Sequence, residues 1–182
     1  QWFDFLVEIQ LKPMIKLCMP TAYKTKEKIR LWCDKQVKII RHFLNRYGMK
    51  EVSQWYFQWS KDKEIFCWEE LQRYGYHYFY QQLRQLIPTC KIGIRSIGSL
   101  DESEDNAYEQ FVSEQKKEQT LPDFISFHAD PYASPEIKSE QAVRFKEYQK
   151  DLLHRVKKAI SMTQIEDKSF WQPELFLTDW NT

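Results

Sequence analysis

The sequence predicts an α/β fold in which parallel strands alternate with helices, and two observations carry that prediction. Five short apolar runs have the length of β-strands and show little of the apolar–polar alternation of a half-exposed strand. Most of the segments between them repeat apolar residues at three- and four-residue steps, as amphipathic helices do. Continuous apolar strands separated by helices are typical of βαβ units in a parallel sheet.

Three strands and two helices are predicted in the first half of the chain. The strands lie at 11–20, 55–59 and 91–98. The first helix ends before Gly48, a residue type that commonly follows the last turn of a helix, and the second ends at Pro88. Their apolar stripes comprise Ile29, Trp32, Cys33, Val37, Ile40, Phe43, Leu44 and Tyr47, and then Trp68, Leu71, Tyr78, Phe79, Leu83 and Leu86.

The second half of the chain continues the alternation. A charged segment at 99–119 is interpreted as a loop with a short helix, and 123–128 as a strand that ends in a histidine. A loop at 129–139 then leads to a helix at 140–160, whose apolar residues recur every three to four positions. The closing run at 173–182 is a further strand, and its last residues are polar.

Length and composition are those of one globular domain, which we assign to residues 1–182. A chain of 182 residues can bury a sizeable core. The apolar share of 42% and the charged share of 29% are ordinary, whereas the aromatic share of 16%, with seven tryptophans, is high. Aromatic side chains also fill cores and interfaces, so this share alone does not indicate a carbohydrate site. The net charge of +1 argues against direct contact with nucleic acid or with an anionic membrane.

The cysteine pattern and the first residues of the chain bear on where the protein is located and on whether the sequence is part of a longer protein. The cysteines at 18, 33, 67 and 90 show neither a CxxC pair nor the Cys/His spacing of metal ligands, so we expect free thiols, no metal and no cofactor. No apolar run has membrane-spanning length and no signal-peptide pattern is present, which favours the cytoplasm. Because the chain begins at Gln1 within an amphipathic pattern, we interpret it as a piece of a longer protein.

Polar side chains follow three of the predicted strands. Asp62 comes after WYFQWSK, His128 after DFISF and Asp179 after ELFLT. Ligands of parallel α/β folds bind beyond the carboxyl ends of the strands, so these residues predict a concave site. Each has an alternative, because either aspartate can cap a helix or lie in a solvated loop and the histidine can be structural. The coincidence of all three favours a site.

Four segments carry a family resemblance: EIQLKPMIKLCMP, FLNRYGMKEVSQWYFQWSKDKE, DFISFHADPY and PELFLTDWNT. In order and spacing they resemble the motifs G-L-K-P-x-x-E-L-x-F-M-P, R-Y-G-x-x-E-V-x-x-W-x-F-E-x-W-N-E-P, D-F-I-S-x-H-x-Y-P and T-E-W-N of glycoside hydrolase family 39, the β-xylosidases and α-L-iduronidase. The resemblance implies a partial (β/α)8 TIM-barrel-like fold that covers roughly the third to the seventh strand. Because a whole barrel takes about 250 residues, we expect the remaining strands outside this chain.

The resemblance also implies where catalytic carboxylates would stand. In the family, the glutamate of N-E-P is the general acid/base and the glutamate of T-E-W-N is the nucleophile. Asp179 takes the nucleophile position, between Thr178 and Trp180. A gap-free correspondence puts Asp62 at the acid/base position, whereas a one-residue deletion puts Lys61 there.

Other pocket residues follow from the same resemblance. His128 corresponds to the histidine that lines the sugar pocket, and Trp59, Trp180 and Asn181 are expected to contact a saccharide. Lys16 stands where the family has a glutamate, so the expected pocket differs from the family on several walls.

Aspartate in place of glutamate weakens the case for hydrolysis. Each replacement withdraws a carboxylate by roughly 1.5 Å. Two replacements would widen the gap between the carboxyl groups from the retaining range of about 5–5.5 Å toward the inverting range of about 6.5–9.5 Å. A misplacement of about 1 Å can cost on the order of 10²-fold in rate.

The sequence leaves three functional hypotheses. The first, which we prefer, is a catalytically degenerate barrel that senses a sugar or mediates subunit contacts as the C-terminal part of an AraC-type bacterial transcriptional regulator, with DNA binding located elsewhere. The second is an active β-xylosidase-like glycosidase that uses Asp62 as acid and Asp179 as nucleophile or base. The third is a structural module whose unpaired sheet edges associate with another chain or with companion segments.

Overall fold

The computed structural model describes residues 1–20, 22–61, 70–95, 102–128, 157 and 171–178. Its strands are β1 (Met14–Met19), β2 (Tyr56–Lys61), β3 (Lys91–Arg95), β4 (Phe124–His128) and β5 (Glu174–Thr178). Its helices are α1 (Trp2–Glu8), α2 (Lys26–Tyr47), α3 (Met49–Val52), α4 (Glu70–Leu86) and α5 (Glu102–Lys117).

The five described strands form one parallel sheet. They are neighbours in chain order, β1-β2-β3-β4-β5, and each neighbouring pair runs in the same direction. Parallel neighbours need a crossover connection, and α2, α4 and α5 lie between consecutive strands of the sequence as such crossovers. The α/β fold predicted from the alternating pattern is therefore confirmed, together with a strand in each of the five apolar runs.

The chain opens with α1, which the apolar pattern alone did not assign as a helix. Phe3 anchors it, because its ring packs against Phe43 and Trp55 with centroids 4.6 and 5.6 Å away. Asp4 adds a two-point ion pair with Arg46 at 2.9 and 2.8 Å. Tertiary contacts to α2 and to the start of β2 thus stabilise a helix of only seven residues.

Helix α5 differs from the short helix expected in the charged segment, since it extends over 16 residues. Phe111 is fully buried and packs edge-on against Tyr76 of α4, with ring centroids 5.3 Å apart. Phe111, with Val112 packed against the same core, is enough to hold a helix whose sequence is mostly polar. The helix predicted at 140–160 lies outside the described residues, apart from Lys157.

Helix α2 begins and ends at the residues that the sequence signals indicate. Thr25 has extended backbone and its hydroxyl oxygen accepts a hydrogen bond from the backbone N–H of Lys28, as an N-cap residue does. Gly48 follows the last residue with φ +84°, a left-handed conformation that costs glycine little. The predicted end of the first long helix is confirmed.

The main core lies between the sheet and helices α2 and α4. Trp59 is 0% exposed, and its indole is enclosed by Trp32 and Phe79, whose ring centroids lie 5.3 and 5.7 Å away. A Cβ on Gly75 would stand 2.8 Å from the Trp59 ring, so the glycine makes room for the indole. The strand register puts further buried side chains on this helix-facing side: Phe57, Ile92, Ile94 and Ile125.

The opposite face of the sheet, called the inner face below, is curved. Tyr56 on β2 donates a hydrogen bond to Glu174 on β5 at 2.9 Å, and Lys91 on β3 pairs with the same carboxylate at 2.7 Å. In a flat sheet the three intervals from β2 to β5 would span roughly 14 Å. That distance exceeds what the two side chains can bridge, so the sheet curls as part of a barrel does.

Aromatic rings fill the concave side near this ion pair. Tyr56, Phe124 and Phe176 meet edge to face, with centroids between 5.1 and 5.5 Å apart. Gly93 lies directly beneath Phe124, and any Cβ there would run into the ring. The amino-terminal part of the inner face is therefore closed by close packing.

Candidate functional site

Toward the carboxyl ends of the strands, the inner face becomes polar. Alternation along β2 sends Tyr56, Gln58 and Ser60 to the inner face, because Phe57 and Trp59 occupy the helix-facing side. The register extends this alternation to the neighbouring strands. We call the resulting line of residues the upper row, and it consists of Cys18, Ser60, Arg95 and Ser126, with the backbone of Phe176, whose ring belongs to the aromatic layer, at its β5 end.

Two side chains on this face are buried with their hydrogen bonds unmet. Gln58 and Ser126 are each 0% exposed, and within the described part of the chain neither amide atom of Gln58 nor the hydroxyl of Ser126 has a hydrogen-bond partner. An unmet buried polar group costs about 1–3 kcal/mol. Such groups are rare in native proteins and call for a polar guest or a functional explanation.

Arg95 brings a permanent positive charge to the same place. Its backbone pairs with that of Ser126, and it lies one residue beyond the last paired positions of β2 and β3, which puts Ser60 on its other side. Arg95 is half-buried, and no carboxylate among the described residues pairs with it. The upper row thus presents a guanidinium flanked by two serine hydroxyl groups.

The residues predicted from strand ends divide into those that the structure places and those that lie outside it. His128 is the last residue of β4, and its backbone pairs with that of Thr178, the last residue of β5. The sheet therefore brings the end of DFISFH next to the end of ELFLT. The other predicted residues lie outside the described ranges: Asp62, Asp179, Trp180 and Asn181.

Trp59, expected from the resemblance to contact a saccharide, occupies a core position instead. Its ring is fully buried between the sheet and the helices, on the face opposite Gln58. Both faces of a parallel strand are covered, so a run such as WYFQW does not reveal which residues face the helices. The expected saccharide contact of Trp59 is therefore corrected. In a pleated strand successive side chains point to opposite faces, and the odd-numbered side chains of β2 point away from the candidate site.

Sequence reasoning did not single out Gln58, Arg95 and Ser126 as site residues. Each is a polar residue inside an otherwise apolar strand, in the runs WYFQW, KIGIR and DFISFH. A buried polar residue in a strand of a parallel sheet is informative because the apolar alternatives cost less to bury. That signal was present in the sequence, but only the register shows that the three residues share one face.

Two buried thiols and the ion-pairing groups have structural environments, whereas the thiol of Cys18 is exposed. Burial raises the pKa of Cys33 and Cys90 to about 12, so both thiols are protonated and unreactive near neutral pH. Hydrogen bonding from Lys91 lowers the pKa of Glu174.

In the ranges that the structure covers, no three His, Cys, Asp or Glu side chains gather as a metal site would require. No helix in these ranges has the length and apolarity to cross a membrane.

A curled parallel sheet with helices on its outer side and polar groups toward the carboxyl ends of its strands defines the class as a (β/α)8-barrel type of fold. Active sites of that class lie at the carboxyl ends of the strands. The sequence profile described as "Glycosyl hydrolases family 39" matches residues 1–181. The chain belongs to this family.

Two curated relatives give the scale of the similarity. The chain is 24% identical over 161 residues to a β-xylosidase of Geobacillus stearothermophilus, and 26% identical over 205 aligned positions to a β-xylosidase of Caldicellulosiruptor saccharolyticus. The alignments cover 83% and 98% of this chain but only 31% and 38% of those proteins. The chain therefore spans about a third of the length of these relatives.

Solved structures support the fold. A monomeric β-xylosidase of Caulobacter crescentus CB15 superposes with a TM-score of 0.63 at 19% identity, over 99% of this chain and 40% of that one. The bacterial orthologue of human α-L-iduronidase gives a TM-score of 0.60 at 19% identity, over 87% of this chain and 28% of that one. The similarity establishes a partial barrel of this type.

Proposed function

We propose that this chain is a saccharide-binding domain on a family 39 scaffold in which retaining hydrolysis is lost or severely impaired. One observation carries the proposal: aspartate stands at the nucleophile position, and no glutamate stands at the acid/base position, in a chain that keeps the family's fold and the order of its motifs. The relatives named above are β-xylosidases, so the ligand class proposed is a β-xyloside or a related saccharide.

The pleat of β2 supports one of the two correspondences at the acid/base position. An acid/base group must face the barrel interior, and the even-numbered residues of β2, Gln58 and Ser60, lie on the inner face. The gap-free correspondence gives the acid/base role to an even-numbered position, as for Gln58 and Ser60, and so favours Asp62 over Lys61. A carboxylate is thus retained at both catalytic positions, each one methylene shorter than the family's glutamate.

The shortening of both carboxylates opposes a double displacement. Withdrawal by roughly 1.5 Å on each side moves the pair out of the about 5–5.5 Å spacing that a covalent glycosyl intermediate needs. Binding does not require that spacing, because sugar hydroxyl groups are held by hydrogen bonds and ring contacts along the whole pocket. Loss of turnover with retention of binding follows.

Hydrolysis assays on the full-length protein test this proposal. We expect no release of p-nitrophenol from aryl β-xylosides above the rate of an Asp179→Asn control, together with measurable xyloside binding by calorimetry. Turnover that Asp179→Asn abolishes would contradict the proposal. The variants Asp62→Glu and Asp179→Glu, combined, restore the family's carboxylate length and should raise the rate if spacing alone limits it.

We further propose that the domain serves in the cytoplasm as the sensing or self-association part of an AraC-type bacterial transcriptional regulator. The degenerate catalytic motifs on a kept scaffold support this role, since sensing needs binding without turnover. In the full-length protein, saccharide should change the affinity for operator DNA or the oligomeric state measured by sedimentation. A ligand-bound and a ligand-free protein that behave identically in both measurements would contradict the regulatory role.

An active glycosidase is the second candidate, and the kept T-D-W-N sequence favours it. Thr178 pairs with His128 at the ends of β5 and β4, so the strand that leads into Asp179 keeps the register of the sheet. With Asp62 as acid and Asp179 as base, the wider spacing predicts inversion at the anomeric carbon. Proton NMR of the first-formed sugar distinguishes this reaction, because retention of configuration would exclude it.

A further inference from the structure

The charges of the chain are segregated along its sequence. Residues 24–46, which cover the approach to α2 and all but the last residue of that helix, contain eight lysine and arginine residues against two carboxylates, a net charge of +6. Residues 101–114, which cover most of α5, contain six carboxylates and no lysine or arginine, a net charge of −6. The net charge of the whole chain is +1, so the bulk composition does not reveal either segment.

The outer face of α2 presents cations to the solvent. Four exposed cations of this helix have no carboxylate partner among the described residues: Lys28, Lys35, Lys38 and Arg41. The described ion pairs of α2 lie at its two ends, at Lys26 and Arg46. Lys28, Lys35 and Lys38 follow one another at steps of seven and three residues, so they share one side of the helix.

Two apolar side chains are exposed among these cations. Leu31 is 55% and Ile39 50% exposed, and eight residues of helix separate them by roughly 12 Å. Exposed ion pairs contribute little affinity on their own, although complementary charges select the partner and orient it. A face that combines lysines with leucine and isoleucine fits a protein that offers carboxylates and apolar groups. A phosphate backbone would leave the apolar side chains without a contact.

The acidic and basic helices do not neutralise each other within one copy, because α4 lies between them. Tyr78 of α4 donates a hydrogen bond to Asp34 of α2 at 2.9 Å. On its other side, Arg73 of α4 pairs with Glu114 of α5 at 2.7 Å. Packed helices lie about 8–10 Å apart, so the axes of α2 and α5 are roughly 16–20 Å apart. That separation is twice the screening length of about 8 Å at physiological ionic strength.

We infer that α2 of one copy of this chain docks on α5 of a second copy. Glu102, Asp105 and Glu109 recur at three- and four-residue steps in α5, the spacing of one helix face. Both helices flank α4 on the same side of the sheet, so a two-fold axis parallel to α4 brings α2 of each copy toward α5 of the other. The contact then forms twice in a closed dimer. This inference goes beyond the proposed function, since the contact involves neither saccharide nor DNA.

Sedimentation velocity of the full-length protein without saccharide tests the dimer. We expect a concentration-dependent dimer at about 50 mM NaCl, with a dissociation constant that rises at least about 10-fold at about 500 mM NaCl, because salt screens exposed charges. A protein that stays monomeric up to roughly 100 μM at the lower salt concentration would overturn the inference. Equal affinity at the two salt concentrations would do the same.

Charge reversal assigns the contact to the two helices. One variant carries Lys35→Glu with Lys38→Glu, and the other carries Glu102→Lys with Asp105→Lys. Each should dimerise about 10- to 100-fold more weakly than the wild-type protein. An equimolar mixture should form a heterodimer, because each reversed helix then meets a helix of opposite charge. Loss of self-association without recovery in the mixture would exclude the α2–α5 contact.

Folding and net charge are controlled separately. Lys50→Glu with Lys157→Glu reverses two exposed lysines outside α2 and should leave the dimer unchanged. If circular dichroism shows that a reversed variant is unfolded, Lys35→Gln with Lys38→Gln replaces it and should still weaken the dimer. An unchanged dimer in that milder variant counts against the inference.

Other anionic partners and the proposed function give distinct outcomes. Labelled duplex DNA and phosphatidylglycerol vesicles test the basic face directly. Binding of either that Lys35→Glu with Lys38→Glu abolishes, while the dimer persists, would assign the face to that partner and overturn the inference. A dimer that responds to the charge reversals but not to saccharide would support this inference and contradict the regulatory role. A saccharide-sensitive assembly that ignores the reversals would do the opposite.

Discussion

The two faces of one sheet are packed differently. On the helix-facing side, Trp59 meets Gly75 and two buried aromatic rings in close contact, although its own indole N–H has no hydrogen-bond partner among the described residues. On the inner face, Gln58 is just as buried yet has no partner for either amide atom. Adjacent residues of the same strand thus differ in degree: in the described ranges, the helix-facing Trp59 leaves one polar atom without a partner, whereas the inward-facing Gln58 leaves two. The unmet polar atoms of the inner face locate the candidate site more closely than the polar residues at the strand ends do.

Shortening a side chain in the helix-facing layer should have the largest effect on the free energy of unfolding. Trp59→Ala removes a fully buried indole from a layer that cannot collapse around the space, and we expect the free energy of unfolding to fall by about 3–5 kcal/mol. Urea denaturation of the full-length protein measures it. Trp2→Ala, at a position 68% exposed, is the matched control and should change stability by less than about 0.5 kcal/mol. Similar losses in both variants would show that Trp59 is not a core residue.

Overpacking beneath the inner aromatic layer should come next. Gly93→Ala drives a methyl group into the Phe124 ring, which Tyr56 and Phe176 hold in place, so we expect a loss of about 1–3 kcal/mol. Combining it with Phe124→Leu should cost less than the sum of the two single changes, because the smaller side chain vacates the methyl position. Strict additivity in this double-mutant cycle would contradict the close approach.

An apolar replacement on the polar part of the inner face should act in the opposite direction. Gln58→Met keeps the length of the side chain and removes two unmet polar atoms, so the free energy of unfolding should rise by about 1–2 kcal/mol. The exposed Gln54→Met should leave stability nearly unchanged. Saccharide affinity should fall in the first variant alone. A destabilised Gln58→Met protein would show that the amide is satisfied in solution.

The smallest effect concerns the ion pair at the amino-terminal end of the inner face. Lys91 lowers the pKa of Glu174 below its ordinary value of 4.5. A carboxyl group whose pKa is lower in the folded state stabilises the fold above the unfolded pKa, and that stability is lost as the pH falls through the folded value. The side chain is 41% exposed, so the contribution is small. As the pH falls below 4.5, the thermal unfolding midpoint should therefore decline less steeply in Glu174→Gln than in the wild-type protein. Equal slopes in the two proteins would show that protonation of Glu174 is not linked to stability.

The sequence was sufficient for the strands and their order, because continuous apolar runs separated by helical periodicity leave few alternatives to a parallel sheet. It did not resolve the two faces of β2. In a strand covered on both sides, Phe57, Gln58 and Trp59 alternate in direction without alternating in polarity, so the tryptophan was assigned to the site and the glutamine was passed over. The face of a side chain follows from register, which is a long-range property.

Other differences have local causes. Helix α1 depends on Phe3 packing against residues some 40 and 50 positions later in the chain, which no local window contains. Helix α5 is rich in charge, and Phe111, the buried aromatic residue in its part from residue 110 onward, gives too weak a periodic signal to predict its full length. Asp62 and Asp179 remain predictions that rest on the family's motifs.

The hydrogen bond from Tyr56 to Glu174 also has a kinetic consequence. It joins residues 118 positions apart, whereas each βα unit of the sheet assembles from contacts much closer in sequence. The entropy of closing so long a loop is recovered only after the intervening strands have aligned, so this contact forms late in folding. Tyr56→Phe should therefore speed unfolding and leave the folding rate almost unchanged. The curvature that shapes the concave face would be the last feature of the domain to be acquired and the first to be released.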